Sequence, residues 1–158
     1  MSPASSWAIL VSPSFQQQQG HMSEITLKEA QDFYENSFAS WVKAMNITIT
    51  SVSPGSATLI IPASPDINRI GGMICGQAIM ALADTAMVFA TAANAGEFVP
   101  MTSVNMQTTF LRPAEGSELF ADARIIKSGK RLVYGEVDLH MGDPEKTVAH
   151  VTTSVMLL

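Results

Sequence analysis

A single carboxylate interrupts the most apolar segment of the sequence. Residues 76–93 contain one charged residue, Asp84, in a run dominated by alanine, methionine and branched aliphatic side chains. An isolated carboxylate in an apolar interior costs free energy unless it is paired, hydrogen-bonded or protonated. We therefore interpret Asp84 either as a reactive group, a general base or a nucleophile, or as a carboxylate held in place by specific donors.

The cysteine at the start of this segment is a weaker candidate for chemistry. Cys75 is the only cysteine, and a thiol at a helix N-terminus becomes a nucleophile when a histidine activates it. His140 and His150 are far from it in the sequence, so we expect Cys75 not to be catalytic. No cluster of residues has the spacing of zinc ligands. The sequence therefore predicts no metal site.

The composition limits the class of protein and its partners. The chain has 158 residues, which suits one domain, and 47% of them are hydrophobic, which is ample for a core. A formal net charge of -5 argues against nucleic-acid binding, which needs a basic surface. One cysteine excludes an internal disulfide and favours a reducing, cytoplasmic location.

Two segments of the sequence could be mistaken for a targeting signal or for a membrane-spanning helix. Residues 1–21 contain no Asp, Glu, Lys or Arg, and we interpret them as an expression leader before a domain at residues 22–158. The apolar segment resembles a membrane span, but Gln77, Asp84 and two threonines interrupt it. A buried core helix is the better interpretation, and no membrane partner is expected.

The elements that must position Asp84 follow from periodicity. A capping box, Thr26 with Glu29, opens a helix over residues 27–43, and strands follow around residues 47–62. The apolar helix covers residues 75–93. Four strand-like runs come after it, at residues 101–112, 118–127, 131–141 and 147–158. This order predicts an α+β fold in which an antiparallel sheet, with its last three strands in a meander, wraps around the long central helix.

Three segments carry a resemblance to a known family: Asn-Arg-Ile-Gly-Gly-Met-Ile-Cys-Gly-Gln at 68–77, Leu-Ala-Asp-Thr-Ala at 82–86, and Thr-Ser-Val-Asn-Met-Gln-Thr-Thr-Phe-Leu-Arg-Pro-Ala at 102–114. With them, the chain from about residue 30 to 158 resembles the hotdog-fold acyl-CoA thioesterases, in particular the phenylacetate-pathway (PaaI-like) branch. The resemblance implies a homodimer or homotetramer that hydrolyses an aromatic or short- to medium-chain acyl-CoA. It implies no cofactor beyond the coenzyme A of the substrate.

The resemblance also implies roles for individual residues. Asp84 would act as general base or nucleophile, and the Gly76 N–H would polarise the thioester oxygen. Asn68 and Ser103 would orient water or the carbonyl group. Asp84 would come from one subunit, and Asn68 with Gly76 from its neighbour. The chain departs from the family's usual His-Gly-Gly at the helix start, since Cys75 replaces the histidine and Gln77 the second glycine.

Substrate binding and two other functions complete the expectations. We place Gln77, Arg112, Lys130 and Arg131 among the residues that bind the substrate, the basic ones against the phosphates of coenzyme A. A non-catalytic domain that binds or senses acyl-CoA is the alternative, because the motif around Gly76 is altered. A hydratase on the same fold ranks last, because it needs an Asp/His pair near the helix and no histidine lies there in the sequence.

Overall fold

The structure, a computed structural model, describes residues 24–158; the leader predicted for residues 1–21 lies outside the described residues. The elements in chain order are α1 (Leu27–Ser37), α2 (Ser40–Lys43), β1 (Thr48–Ser53), β2 (Ser56–Pro62), α3 (Gly76–Ala95), β3 (Met101–Phe110), β4 (Glu118–Ser128), β5 (Leu132–His140) and β6 (Thr147–Leu157).

The strands form one antiparallel sheet that curves around α3, as predicted. Their order is β1-β2-β4-β5-β6-β3, so β4, β5 and β6 are the expected meander. Side chains that alternate along the strands face the helix and are almost fully buried, among them Leu59, Leu119, Val137 and Val151. They pack against the buried side of α3 around Leu82. The core is therefore the layer between one sheet face and one helix.

The helix predicted over residues 27–43 is two helices. Its capping box is present: the Glu29 N–H donates to Thr26 Oγ1 at 3.2 Å, and the Thr26 N–H donates to Glu29 Oε2 at 2.8 Å. The hydrogen bonds from Thr26 lower the pKa of the Glu29 carboxyl. The chain then becomes extended at Phe38, whose φ and ψ are -84° and 152°.

Tertiary packing explains this break. The Phe38 ring stacks on Phe89 of α3, with centroids 5.6 Å apart, and the Tyr34 hydroxyl donates to the carbonyl of Val42 at 3.0 Å. A continuous helix would turn one of these groups away from the core. Helical periodicity alone does not predict this break, because Phe38 and Val42 fit the spacing of one continuous helix equally well.

The central helix is less evenly covered than its composition suggests. It is long and apolar enough to cross a membrane by length and composition, yet 67% of its most apolar window is buried in the fold, as in a core helix. Five residues at helical spacing form a stripe that is only partly covered; we call it the open stripe. Its members are Gln77, Met80, Ala81, Asp84 and Val88.

One edge of the sheet is long and exposed. β3 pairs with β6 alone, and most of its residues are accessible to solvent. Val104 is 56% exposed and Phe110 51%. A long edge strand with apolar side chains and free backbone groups is a template for pairing with another strand.

Candidate functional site

Asp84 lies in the third turn of α3, on the open stripe, and is partly buried. The Ser103 hydroxyl on β3 donates a hydrogen bond of 2.7 Å to its Oδ1 atom. The sheet pairing shifts between Ser103 and Asn105, which is a local irregularity in β3. The carboxylate thus has a specific donor, and its environment is half-open instead of the closed apolar interior that the sequence suggests.

Asp84 lines a cavity of about 410 Å³ with a mostly apolar wall. This volume is within the usual range for sites that bind small molecules. The cavity lies where the break between α1 and α2 faces α3 and the start of β3. Its large side chains are Phe33, Phe38, Trp41, Phe98 and Met101. The break at Phe38 places Phe38 and Trp41 on the wall of this cavity, whereas the sequence predicted one continuous helix there.

Gly76 precedes the open stripe, at the N-terminal end of α3. It is the first residue of α3, after Cys75, whose side chain makes no capping hydrogen bond. The first N–H groups of a helix have no acceptor within the helix, and the helix dipole is positive there. A Cβ atom at Gly76 would lie 3.1 Å from the Phe110 ring. The backbone at Gly76 is therefore closely approached by an exposed aromatic side chain of β3.

Asn68 belongs to the loop that leads into this helix start. The loop folds back on itself: the Cys75 N–H donates to the Ile67 carbonyl at 2.9 Å, and the Arg69 N–H donates to the Met73 carbonyl at 2.8 Å. Within residues 24–158, the side-chain oxygen of Asn68 is buried and has no hydrogen-bond partner. Buried polar atoms normally have a partner, so this amide is a candidate for contact with another molecule.

Within a single chain, the predicted catalytic residues lie in two separate places. Asp84 and Ser103 form one group, and Asn68 and Gly76 the other. Gly76 and Asp84 are eight residues apart on one helix, which corresponds to about 12 Å along its axis. Gly76 lines a separate cavity of about 430 Å³. No water molecule or carbonyl group could contact both groups across this distance within one subunit.

The predicted substrate-binding residues are also dispersed. Arg112 lines the Gly76 cavity, and its guanidinium donates to the Thr147 carbonyl at 2.6 Å. Gln77 lines a third cavity, of about 370 Å³, together with Cys75. Lys130 and Arg131 are exposed in the hairpin between β4 and β5, at the opposite end of the sheet from Arg112.

His140 and His150 belong to a polar network on the outer face of the sheet. The ring of His140 is buried; its Nδ1 accepts the Gly142 N–H at 3.1 Å, so its Nε2–H donates to Asp122 at 2.9 Å. His150 lies 2.7 Å from Asp138. No group of His, Cys, Asp or Glu among residues 24–158 is arranged to hold a metal ion. These histidines lie on the sheet face away from α3 and Asp84.

Comparisons with known proteins find similarity over the segment that contains the candidate site. A family model described as the thioesterase superfamily matches residues 71–148, a segment that includes Gly76, Asp84, Ser103 and Arg112. A protein of Thermoplasma acidophilum, provisionally assigned as an esterase, is 26% identical over 97 residues, or 61% of this chain and 73% of that protein.

Solved structures share the fold. The PaaI protein of the phenylacetic acid degradation operon of Escherichia coli superposes with a TM-score of 0.72 at 23% identity, over 83% of this chain and 91% of that one. A thioesterase of Haemophilus influenzae gives a TM-score of 0.77 at 18% identity, over 87% and 93% of the two chains. The chain has the hotdog fold of these structures, and its residues 71–148 match the thioesterase superfamily.

Proposed function

We propose that the protein hydrolyses acyl-CoA thioesters to a free acid and coenzyme A. The observation that carries this proposal is the position of Asp84: a carboxylate held by the Ser103 hydroxyl on the wall of an apolar cavity. An apolar acyl group fits such a cavity, and a carboxylate beside it can act on the thioester carbonyl.

In the proposed reaction, Asp84 accepts a proton from water while the water oxygen attacks the thioester carbonyl carbon. Negative charge on the carbonyl oxygen is stabilised by the Gly76 N–H at the start of α3. The carbon–sulfur bond then breaks, and the departing thiolate of coenzyme A takes the proton from Asp84. Direct attack by Asp84 on the carbonyl carbon is the second route to the same products. Asn68 orients the water or the carbonyl group.

The site needs two subunits in this proposal. Asp84 and Gly76 are about 12 Å apart along one helix and line different cavities. Pairing of β3 with β3 of a second copy would continue the sheet across a two-fold axis, and it would cover the exposed edge. Asp84 of one subunit would then face Gly76 and Asn68 of the other. We propose a homodimer as the smallest active unit, or a homotetramer built from two such dimers.

Coenzyme A is the part of the substrate that we assign to the polar residues. Arg112 already lines the Gly76 cavity, and its guanidinium can bind a phosphate in a bidentate manner. Lys130 and Arg131 would add contacts from other parts of the dimer, and Gln77 would contact the substrate from the cavity that it lines. The reaction as written uses no metal or redox cofactor, and a protein with one free thiol suits the cytoplasm.

A free-thiol assay tests the proposal directly. The wild-type protein is incubated with a panel of aliphatic and aromatic acyl-CoA thioesters beside Asp84→Asn, which keeps the size of the side chain but removes the base. We expect release of coenzyme A by the wild type and a loss of at least about 100-fold in kcat for the variant, the lower end of the range that is typical for a general base.

Two outcomes would contradict the proposal. Equal turnover by wild type and Asp84→Asn would remove Asp84 from the mechanism. Binding of acyl-CoA in calorimetry, with no thiol release from any member of the panel, would support the non-catalytic acyl-CoA-binding domain instead.

A further inference from the structure

We propose that Trp41 divides one acyl groove into two compartments and thereby sets the greatest length of acyl chain that the enzyme accepts. This inference rests on the proposed acyl-CoA hydrolysis at Asp84. It concerns two cavities that lie side by side along the open stripe of α3: the Asp84 cavity, of about 410 Å³, and the Gln77 cavity, of about 370 Å³.

Trp41 is a wall of both cavities. It lies on α2, and 63% of it is exposed. A large aromatic residue that is exposed to this extent contributes less to the core than its neighbour Val42, which is buried. The Trp41 ring therefore adds little to the core. Substitution of Trp41 leaves the core contacts of Val42 in place.

The helical floor beneath the ring is made of small side chains. Ala81 lines the Asp84 cavity and Ala78 lines the Gln77 cavity. These residues are three apart in sequence, so they are neighbours on the helix surface with about 4.5 Å of rise between them. The two cavities are thus less than one helical turn apart at the floor, and the Trp41 ring lies above this junction.

The Gln77 cavity is suited to a hydrocarbon chain. Its wall is largely apolar, with Ala44, Met45, Ile67 and Ala78 among its lining residues. Methionine adapts its shape easily, which suits a flexible chain. An acyl group whose carbonyl carbon lies at Asp84 would fill the first cavity and then meet the Trp41 ring. Without the ring, the available volume would nearly double.

These contacts assign a substrate class to the wild-type enzyme: acyl groups short or compact enough to end before Trp41. Each methylene group that is moved from water into an apolar site contributes about 0.8 kcal/mol, which is about fourfold in kcat/KM. We expect kcat/KM of the wild type to rise about fourfold per added methylene and then to level off or fall when the chain reaches the ring.

The test compares wild type, Trp41→Ala and Trp41→Phe on straight-chain acyl-CoA thioesters from butanoyl to hexadecanoyl, with thiol release as the readout. We expect Trp41→Ala to shift the optimum of kcat/KM to longer chains by several methylene groups. Trp41→Phe keeps a ring at the junction and should shift the optimum much less. Tyr134→Ala, on the outer face of the sheet and 39% exposed in the wild type, is the matched control and should leave the profile unchanged.

A second variant tests the compartment itself. Ala44 is exposed at the wall of the Gln77 cavity, so Ala44→Phe in the Trp41→Ala background should fill that cavity and restore the preference for shorter chains. Circular dichroism and the melting temperature verify that each variant is folded. An unchanged chain-length profile in an active, folded Trp41→Ala variant would overturn the inference about Trp41 alone. No thiol release by the wild type from any thioester would instead overturn the proposed function.

Discussion

At the scale of single residues, the pair formed by Asp84 and Ser103 is the most specific feature of the site. A hydrogen bond of 2.7 Å to a charged acceptor fixes the direction of the carboxylate. Ser103 lies on β3 and Asp84 on α3, so the pair also ties the central helix to the exposed edge strand. We interpret Ser103 as a positioning residue for Asp84.

Substitution of Ser103 tests this role. Hydrogen bonds to charged groups contribute about 1.5–3 kcal/mol, so Ser103→Ala should lower kcat by about 10- to 100-fold if the whole of that energy orients Asp84. Ser103→Thr keeps the hydroxyl and should restore most of the activity. A merely structural serine would lower the melting temperature without changing kcat of the folded enzyme, and the pH profile of kcat would then be identical in wild type and Ser103→Ala.

At the scale of elements, the position of Asp84 depends on how closely α3 approaches the sheet. Gly135 of β5 lies where Met87 of α3 packs against the strand. A Cβ atom at this position would overlap the end of the Met87 side chain and would lie 2.7 Å from the carbonyl oxygen of Arg124. Glycine at this position allows a close contact between helix and sheet.

Gly135→Ala should therefore destabilise the fold. Overpacking of a core typically costs about 1–3 kcal/mol, and the clash with a backbone oxygen places this variant in the upper part of that range. For a chain of this size, each kcal/mol lowers the melting temperature by about 2–4 °C. Calorimetry of Gly135→Ala beside the wild type measures the effect. A melting temperature equal to that of the wild type would show that α3 and β5 can move apart here without loss of stability. The close contact would then not require glycine.

At the scale of the whole molecule, the open stripe of α3 and the exposed strand β3 indicate an assembly larger than one chain. The site residues fall into two groups that one subunit does not bring together, and the edge strand offers unpaired backbone groups. A second copy paired along β3 would bring the two groups of site residues together and would pair the free backbone groups of the strand. Activity and oligomeric state should then change together.

Val104→Lys tests this coupling. Val104 is 56% exposed near the middle of β3, and a charged side chain there opposes edge-to-edge pairing. We expect sedimentation velocity to show monomers at concentrations at which the wild type is a dimer, with loss of thiol release and an unchanged circular dichroism spectrum. Ile126→Lys, at an exposed position of β4, is the control and should stay dimeric and active. A fully active Val104→Lys monomer would show that one chain contains the complete site.

The residue patterns of the chain were sufficient to predict most elements and the identity of the central carboxylate. The strand runs, the long apolar helix and its end at Gly96 follow from local chemistry, because alternation, helical spacing and a glycine stop act over a few residues. The break at Phe38 was not predictable in this way. It depends on the contact of Phe38 with Phe89, which is about fifty positions away in the sequence.

By itself the sequence determined that an apolar helix carries one carboxylate, Asp84, inside an α+β fold, since periodicity and composition are local properties. Only the tertiary structure decided what surrounds that carboxylate. Curvature of the sheet brings Ser103 to it, the break between α1 and α2 places aromatic side chains beside it, and the geometry of a straight helix keeps Gly76 away from it. These contacts join residues that are distant along the chain, and their distances are fixed by packing.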